Sequence, residues 1–490
     1  MKPTITINRG CFKYTHPTPE LLSMLTNERV VMKEVPSDSS PYPRVERVIE
    51  QEPLYTHAGS SVVIFSGLLP RVRRYLDMSG VSYDVVDRRE PPPSVDLSRI
   101  SKFTLRHGQG HAIAAVATMP NGVIHLPTAN GKTFVAGLLA EIYRGVCPLL
   151  IVSESSSVLR AILSQVQNLS TSRAYILNKD SEMNPSVDCI VCSSKSLHKV
   201  DPLWPRLVIY DEVHSSAAPV TSRRLTRFSQ ARMFGFSATP FGRSDNSDLV
   251  MEAIFGPVRV KVSYESAVRA GSVTPIRVYM LPVPHGGAGA SKLKSDVARD
   301  RNGIWRNSVR NRIIAQIAND IPKDQQVLII GATTEHILRL KKLLPDCALA
   351  HGGMTKDKWS RFVSQGLINK NDGPEIWKPN VKQLEIDFRE GRVRRVLSTG
   401  VWKEGVDFPD LVFVVRVDGK RGNIPSIQIG GRLSRKGSSL DKKMGVLFDF
   451  DDSFDRLFEG RAKVRAKSYR KEGWDVRYEW PDFNKLMTDM

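Results

Sequence analysis

The stretch LPTANGKTFVAG, residues 126–137, sets Gly131, Lys132 and Thr133 in the order that closes a phosphate-binding loop, G-x-x-x-x-G-K-[ST], although Leu126 stands where the first glycine is expected. It follows the strand-like GVIHL and opens the helix-like KTFVAGLLAEIYRG. A strand-to-helix turn aims backbone N–H groups and a helix N-terminus at an anion, so phosphate binding there does not depend on the first glycine. Gly131 lets the backbone pass close to the phosphates. Lys132 is expected to reach the β- and γ-phosphates, and the Thr133 hydroxyl to bind Mg²⁺.

Three further stretches carry matching chemistry. In RLVIYDEVHSS an apolar strand delivers Asp211 and Glu212 to its C-terminal end, where ligands bind in open α/β sheets. Asp211 can hold Mg²⁺ through its water shell, and Glu212 can orient or deprotonate an attacking water. In GFSATPFGR, the small residues Ser237, Ala238 and Thr239 end a strand and can hydrogen-bond to the D-E-V-H segment, sensing the γ-phosphate indirectly. In IQIGGRLSRKG, Gln428, Arg432 and Arg435 are spaced Q-x-x-G-R-x-x-R. Arginines three apart share a helix face, so both guanidiniums can converge on one γ-phosphate. They lie about 300 residues from Lys132, which predicts a nucleotide bound between two domains whose cleft opens and closes with hydrolysis.

The elements that must position these residues fall into two sets. GVIHL, CPLLIVS, DCIVCS, RLVIYDE and ARMFGFSA form one, and QVLIIGA, CALAHGG, RRVLSTG, LVFVVRV and MGVLFDF the other. Short apolar strands separated by helix-length segments predict parallel sheets covered on both faces, hence an α/β protein with two parallel-sheet domains in tandem. The linker REPPPSVDLS, residues 89–98, sets off a small N-terminal α/β module with the strand-like SSVVIF and VSYDVVD around a helical LPRVRRYLDMSG. The expected domains are residues 1–95, an accessory DNA-binding module; 96–270; and 271–490, ending in a helical tail. The clustered Arg71, Arg73 and Arg74 could touch DNA or form a solvated helix face.

In this order and spacing the motifs resemble the superfamily 2 helicases and translocases over about residues 100–460. The resemblance implies two RecA-like motor domains. LRHGQ supplies Gln109, similar to the family glutamine that reads adenine, and PTANGKT is similar to motif I. It implies that Pro127, Thr128, Ala129, Asn130, Gly131, Lys132 and Thr133 cradle ATP. DEVH resembles motif II, SATP motif III and QIGGRLSR motif VI. STGVWKEGVDFPDL is similar to motif V, which implies that Thr399 and Gly400 approach the nucleic-acid backbone and Asp407 the ribose. IVSESSSVLRAILSQV departs from the usual proline-threonine form of motif Ia, and Ala129 departs from the common glycine. Within the superfamily, LPTANGKT, FGPVRVKVSYESAVRAGSVTPIRVY and the tail VLFDFDDSFD…RAKVRAKSYRKEGWDV resemble phage recombination helicases of the UvsW type. That likeness implies fork regression, Holliday-junction branch migration and duplex unwinding.

Bulk properties agree with such a motor. The net charge is +20, and residues 251–490 hold most of the excess, with 43 basic against 29 acidic side chains. That favours a polyanionic partner, nucleic acid before an anionic membrane surface. Phosphate contacts predict salt-sensitive binding largely indifferent to base sequence. Lys420, Arg421 and the run RAKVRAKSYR are candidates for the track, the run being equally readable as an amphipathic helix capping the domain. The 490 residues contain no apolar stretch of membrane-spanning length, so a soluble cytoplasmic protein is expected, in the host cytoplasm if phage-encoded. The five scattered cysteines suit a reducing compartment, and Cys189 and Cys192 read as core residues of a strand.

The expected activity is therefore an ATP- and Mg²⁺-dependent DNA helicase or translocase acting on branched DNA in recombination, repair or replication. An RNA helicase or a translocase that separates no strands remains an alternative. So does a nucleic-acid binding or annealing protein independent of ATP, although Lys132, Asp211, Glu212 and Arg435 together argue for hydrolysis. No extra carboxylate cluster supports a nuclease, and no obligate protein partner is implied.

Overall fold

Leu149–Val152, Cys189–Cys192, Leu207–Asp211 and Arg232–Ser237 are apolar runs buried almost throughout, the signature of strands covered on both faces. The computed structural model describes residues 2–489 apart from 36–43, 242–244, 285–289, 294, 403–407, 422 and 436–441. It divides into two compact units, Met1–Val262 and Ser263–Met490.

The first unit holds a seven-stranded, all-parallel sheet in the order Ala174–Leu177, Cys189–Cys192, Leu149–Val152, Leu207–Asp211, Arg232–Ser237, Gly122–His125 and Val258–Lys261. Helices Lys132–Tyr143 and Ser156–Leu169 belong to its crossovers. Cys189 and Cys192 are free and fully buried, and burial pushes the Cys192 thiol up to about 12.

The N-terminal module is a five-stranded mixed sheet, Tyr55–Ala58, Ser61–Phe65, Cys11–Tyr14, Thr4–Ile7 and Asp84–Asp87, with helix Leu69–Met78. It shares one apolar core with the parallel sheet: Leu68, Val72 and Leu76 cluster with Met251, Ile254 and Phe255. At that seam a Cβ on Gly67 would lie 2.1 Å from the Glu252 carbonyl oxygen, so only glycine admits this approach. Arg71 is engaged in the same seam, pairing with Glu252 at 2.5 Å.

The module also carries an element absent from the sequence reading, a two-stranded antiparallel hairpin. Thr26–Val35 pairs with Arg44–Pro53 over ten residues, from Thr26 opposite Pro53 to Val35 opposite Arg44.

The second unit repeats the parallel design in the order Ala348–Ala350, Arg395–Ser398, Val327–Ile330, Phe413–Arg416, Gly445–Asp451, Ile276–Pro282 and Asp475–Arg477. The tail forms helix Arg456–Glu472, capped by the Asp455 side chain and closed by Gly473 at φ +89°. Within it Arg465 is fully buried against Asp449 at 2.9 Å, and Arg461 pairs with Asp300. Part of the run RAKVRAKSYR thus caps the domain, while Lys463, Lys467 and Arg470 face solvent. Among the described residues no helix is long and apolar enough to cross a membrane.

Candidate nucleotide site

The sheet of the first unit brings three sequence motifs to one edge. Leu207–Asp211 pairs with Arg232–Ser237, with Asp211 opposite Phe236, and Ser237 lies opposite His125 at the entrance to the phosphate loop. The C-terminal ends of three adjacent strands therefore present the loop, Asp211–Glu212 and Ser237–Thr239 side by side.

The loop is shaped by its backbone. Gly131 takes φ +78° immediately before helix Lys132–Tyr143, and a Cβ there would sit 2.5 Å from Gln109 Nε2. Ala129 is also left-handed, at φ +66°, a conformation that costs an L-residue roughly 1–2 kcal/mol. The usual glycine of this position would adopt it freely. Asn130 is fully buried; its Nδ2 donates to the His107 carbonyl at 2.9 Å, and its Oδ1 has no partner among the described residues. A turn that excludes a Cβ and the start of a twelve-residue helix, whose first backbone N–H groups are free to donate, fit a phosphate-bearing ligand.

Gln109 begins helix Gln109–Thr118 and is 1 % exposed. Its Oε1 accepts from Arg106 N at 2.8 Å and its Nε2 donates to the Asn130 carbonyl at 2.9 Å. Arg106 Nη1 adds a bond to the Ala129 carbonyl at 3.0 Å. The LRHGQ segment thus braces the loop from behind. Pro127 and Thr128 lie within the same loop, and Thr133 sits half-buried in the first turn of its helix.

The Asp211 and Glu212 carboxylates are held by a compact network. Lys132 Nζ lies 3.7 Å from Glu212 Oε1. Ser237 Oγ donates to Glu212 Oε2 at 3.0 Å and accepts from Thr239 N at 3.0 Å. His214 Nδ1 lies 3.4 Å from the same carboxylate oxygen. Ser153 Oγ donates to Asp211 Oδ2 at 3.4 Å. Burial, reinforced by the neighbouring Glu212 charge, raises Asp211 well above the usual carboxylate range. For Glu212 burial acts the same way, but the Lys132 charge and the bonds from His214 and Ser237 outweigh it and keep the carboxyl ionised. Glu212 itself is left-handed, at φ +53°, as strained backbone at functional sites often is.

Sequence reasoning assigned no role to Arg106, His214 or Ser153. His214 was visible as the fourth letter of D-E-V-H; Arg106 and Ser153 join through tertiary contacts that no spacing reveals.

In the second unit, Thr399 follows strand Arg395–Ser398 and donates its N–H to the Ala350 carbonyl at 3.0 Å, and the exposed Gly400 opens a turn that ends on the buried Trp402. Lys420 and Arg421 are exposed beyond strand Phe413–Arg416. Asp407 lies outside the described residues. The arginines depart from expectation: helix Asn423–Gly430 contains Gln428 but stops at the Gly430–Gly431 pair. Arg432 is buried in a 3₁₀ turn and Arg435 is extended at φ −73°, ψ 138°, so they do not share an α-helical face. Arg435 is half-buried, and burial, helped by Arg389, lowers its pKa to about 10.

Comparison with known proteins bears on this geometry. Residues 102–242, which contain all three motif segments of the first unit, match the family model described as the res subunit of type III restriction enzymes. An African swine fever virus protein whose name describes an ATP-dependent RNA helicase is 22% identical over 72% of this chain and 69% of its own length. A protein of Sulfolobus islandicus filamentous virus, named as a helicase, is 23% identical over 74% of this chain and 67% of its own. The chain is a superfamily 2 helicase. As such it uses ATP, and its two parallel sheets are the RecA-like motor folds. Among solved structures, S. cerevisiae Dbp5 bound to RNA and ADP BeF3 shares this helicase's fold, with TM-score 0.53 and 15% identity, covering 80% of this chain and 95% of that one. T4 UvsW aligns with the helicase over 98% of this chain and 99% of its own at 14% identity, with TM-score 0.40, too low for any argument to rest on it.

Proposed function

We propose that this helicase is a DNA motor that remodels forks and junctions, using ATP with Mg²⁺. The observation that carries the reading is the joined network of Lys132, Glu212, Ser237 and Thr239, which ties the water-activating carboxylate to the segment able to sense hydrolysis. ATP supplies the phosphoanhydride bond and Mg²⁺ charge compensation. Gly131, Lys132 and Thr133 cradle the phosphates, with Pro127 to Asn130 completing the loop and Gln109 at its side. Thr133 and Asp211 hold the metal, partly through water. Glu212, kept ionised, takes the proton of the attacking water. Gln428, Arg432 and Arg435 serve hydrolysis from the second unit, and Asp407 the ribose.

The basic excess of residues 251–490 supports a phosphate-backbone track, with Thr399, Gly400, Lys420 and Arg421 as contacts. The match to restriction-enzyme subunits and the N-terminal module built into the first unit favour DNA and branched substrates. A second reading, an RNA helicase, is favoured by the name of the swine fever virus relative and by the RNA in the Dbp5 structure.

Steady-state ATP hydrolysis with Mg²⁺ decides between them, comparing single-stranded DNA, duplex, a four-way junction and matched RNAs. Greatest stimulation by the junction supports DNA remodelling. Greatest stimulation by RNA replaces it with the second reading.

A further inference from the structure

An isolated two-stranded hairpin is at best marginally stable in water, so what holds Thr26–Val35 against Arg44–Pro53 matters. Ten residues of strand reach roughly 33 Å, and among the described residues burial is confined to the base: Leu25, Asn27, Arg29 and Leu54 are each under 7% exposed, while Ile49 further out is 62% exposed. Two bonds fix that base to the motor. Arg29 Nη2 donates to the Ala217 carbonyl at 2.7 Å, with Glu52 at 3.3 Å completing its charge. Val30 N donates to the Asp245 carbonyl at 3.1 Å, a bond outside the hairpin's own ladder.

The positions of those two carbonyls are informative. Ala217 follows Glu212 by five residues, across a turn held by Ser215 N to the Glu212 carbonyl at 3.0 Å, Ser216 N to the Val213 carbonyl at 3.0 Å and Ser216 Oγ to the same oxygen at 2.7 Å. Asp245 follows Thr239 by six. The turn has no slack on its other side either, since a Cβ on Gly235 would lie 2.3 Å from Val213. A shift of Glu212 is therefore passed to the Ala217 carbonyl. A cavity of about 520 Å³ lies beside the hairpin base, lined among others by Leu22, Thr26, Glu28, Gln51 and Leu249.

We propose that Arg29 is a positioning residue that transmits the state of the nucleotide site to the hairpin, making the hairpin a moving part of the motor. The inference rests on the roles assigned above to Lys132, Asp211 and Glu212. The hairpin strands carry four basic and five acidic side chains, so the arm is not itself a phosphate track. Its work would be steric, as an arm displaced with each turnover.

Hydrogen–deuterium exchange of the full chain tests this, with and without Mg-ADP–beryllium fluoride, in wild type, Arg29→Met, Arg29→Lys and Glu52→Gln. Residues 129–133 should slow on nucleotide addition in all four proteins. The amide of Val30 and its hairpin neighbours should change rate about fivefold in wild type. Arg29→Lys and Glu52→Gln should keep that response and Arg29→Met should lose it, with nucleotide-free exchange of the hairpin still within about twofold of wild type. A response that survives in Arg29→Met, or that is missing from wild type while residues 129–133 slow, overturns the inference. Hairpin exchange accelerated in Arg29→Met in both states also overturns it, because Arg29 then only holds the strands together. If residues 129–133 do not slow in wild type, the nucleotide site falls and the inference with it.

Discussion

Ser237 and Glu212, 25 residues apart in the chain, meet at the ends of neighbouring strands, where the serine hydroxyl donates to the glutamate carboxylate at 3.0 Å. The same hydroxyl accepts from Thr239 N, so one oxygen joins the Glu212 side chain to the turn that follows Ser237. Removing it in Ser237→Ala leaves Lys132 and His214 beside Glu212 and takes away one bond to a charged acceptor. Such a bond is worth about 1.5–3 kcal/mol. Nucleic-acid-stimulated kcat should fall about tenfold, with KM for ATP changed less than about twofold. Equal loss in KM would mean that Ser237 serves binding rather than the hydrolytic step.

Glu212→Gln keeps the shape of the side chain and its contact with Ser237 but removes the carboxylate proposed as the base. Nucleotide binding, followed by a fluorescent ATP analogue, should be retained, while turnover should drop by roughly 100-fold or more. Full retained hydrolysis would sink the role given to Glu212.

The nucleotide loop was the most legible part of the site. Gly131, Lys132 and Thr133 announce a helix start over an anion, and the apolar runs announce parallel strands, because both signals are local. The hairpin was illegible: TNERVVMKEV and RVERVIEQEP have mixed alternation and many charges, and their pairing is fixed by docking onto Ala217 and Asp245, more than 180 residues away. The shared-face reading of Arg432 and Arg435 failed for a local reason, the Gly430–Gly431 pair that stops the helix before them. Gln109 was located by pattern, but its bracing of Asn130 and Arg106 required the fold.

Ala129 carries the strain that the usual glycine avoids. Its left-handed backbone costs roughly 1–2 kcal/mol, and glycine would return about 0.4–1 kcal/mol of that through the freer unfolded chain. Ala129→Gly should therefore stabilise the protein by about 0.5–1 kcal/mol, read as a rise of about 1–3 °C in the Tm of the first transition. A lower Tm would show that Ala129 packing outweighs backbone strain.

The buried His336 and the half-buried His125 set an acid limit on stability. Burial lowers His336 to about 3, with Arg310 adding to it, and His125 to about 4. A histidine whose folded pKa lies below its unfolded value of about 6.5 binds its proton more readily when unfolded. Its contribution is complete above about pH 6.5 and is lost progressively as pH falls from there toward the folded values. Urea melts at pH 7.5, 6.0 and 5.0 should show midpoints that fall with pH. His336→Gln should shallow that fall, because the amide can still donate to Asn311 Oδ1, which His336 Nε2 meets at 3.2 Å. An equally steep fall in the variant would assign the dependence to other groups.

The tail run RAKVRAKSYR combines two physical roles that substitution can separate. Arg465 donates to Asp449 at 2.9 and 3.0 Å, Tyr469 donates to the same carboxylate at 2.7 Å, and Arg416 reaches Tyr469 Oη at 3.0 Å. All four groups are fully buried. Burial alone would raise Asp449, but Arg465 and Arg416 hold it below its ordinary value, so the carboxylate is charged; its loss takes from Arg465 its nearest partner, leaving Asp452 at 3.8 Å, and leaves Arg416 to be balanced by Asp418 at 2.9 Å. Breaking one side of such a pair costs about 3–5 kcal/mol, whereas exposed lysines contribute within about 0.5 kcal/mol. Asp449→Asn should lower the denaturation midpoint of the second unit sharply. Lys463→Ala with Lys467→Ala should leave that midpoint in place and reduce DNA affinity only if the solvent face of the helix belongs to the track. If Asp449→Asn proves as stable as wild type, the network does not anchor the tail, and a wholly structural reading of the run fails with it.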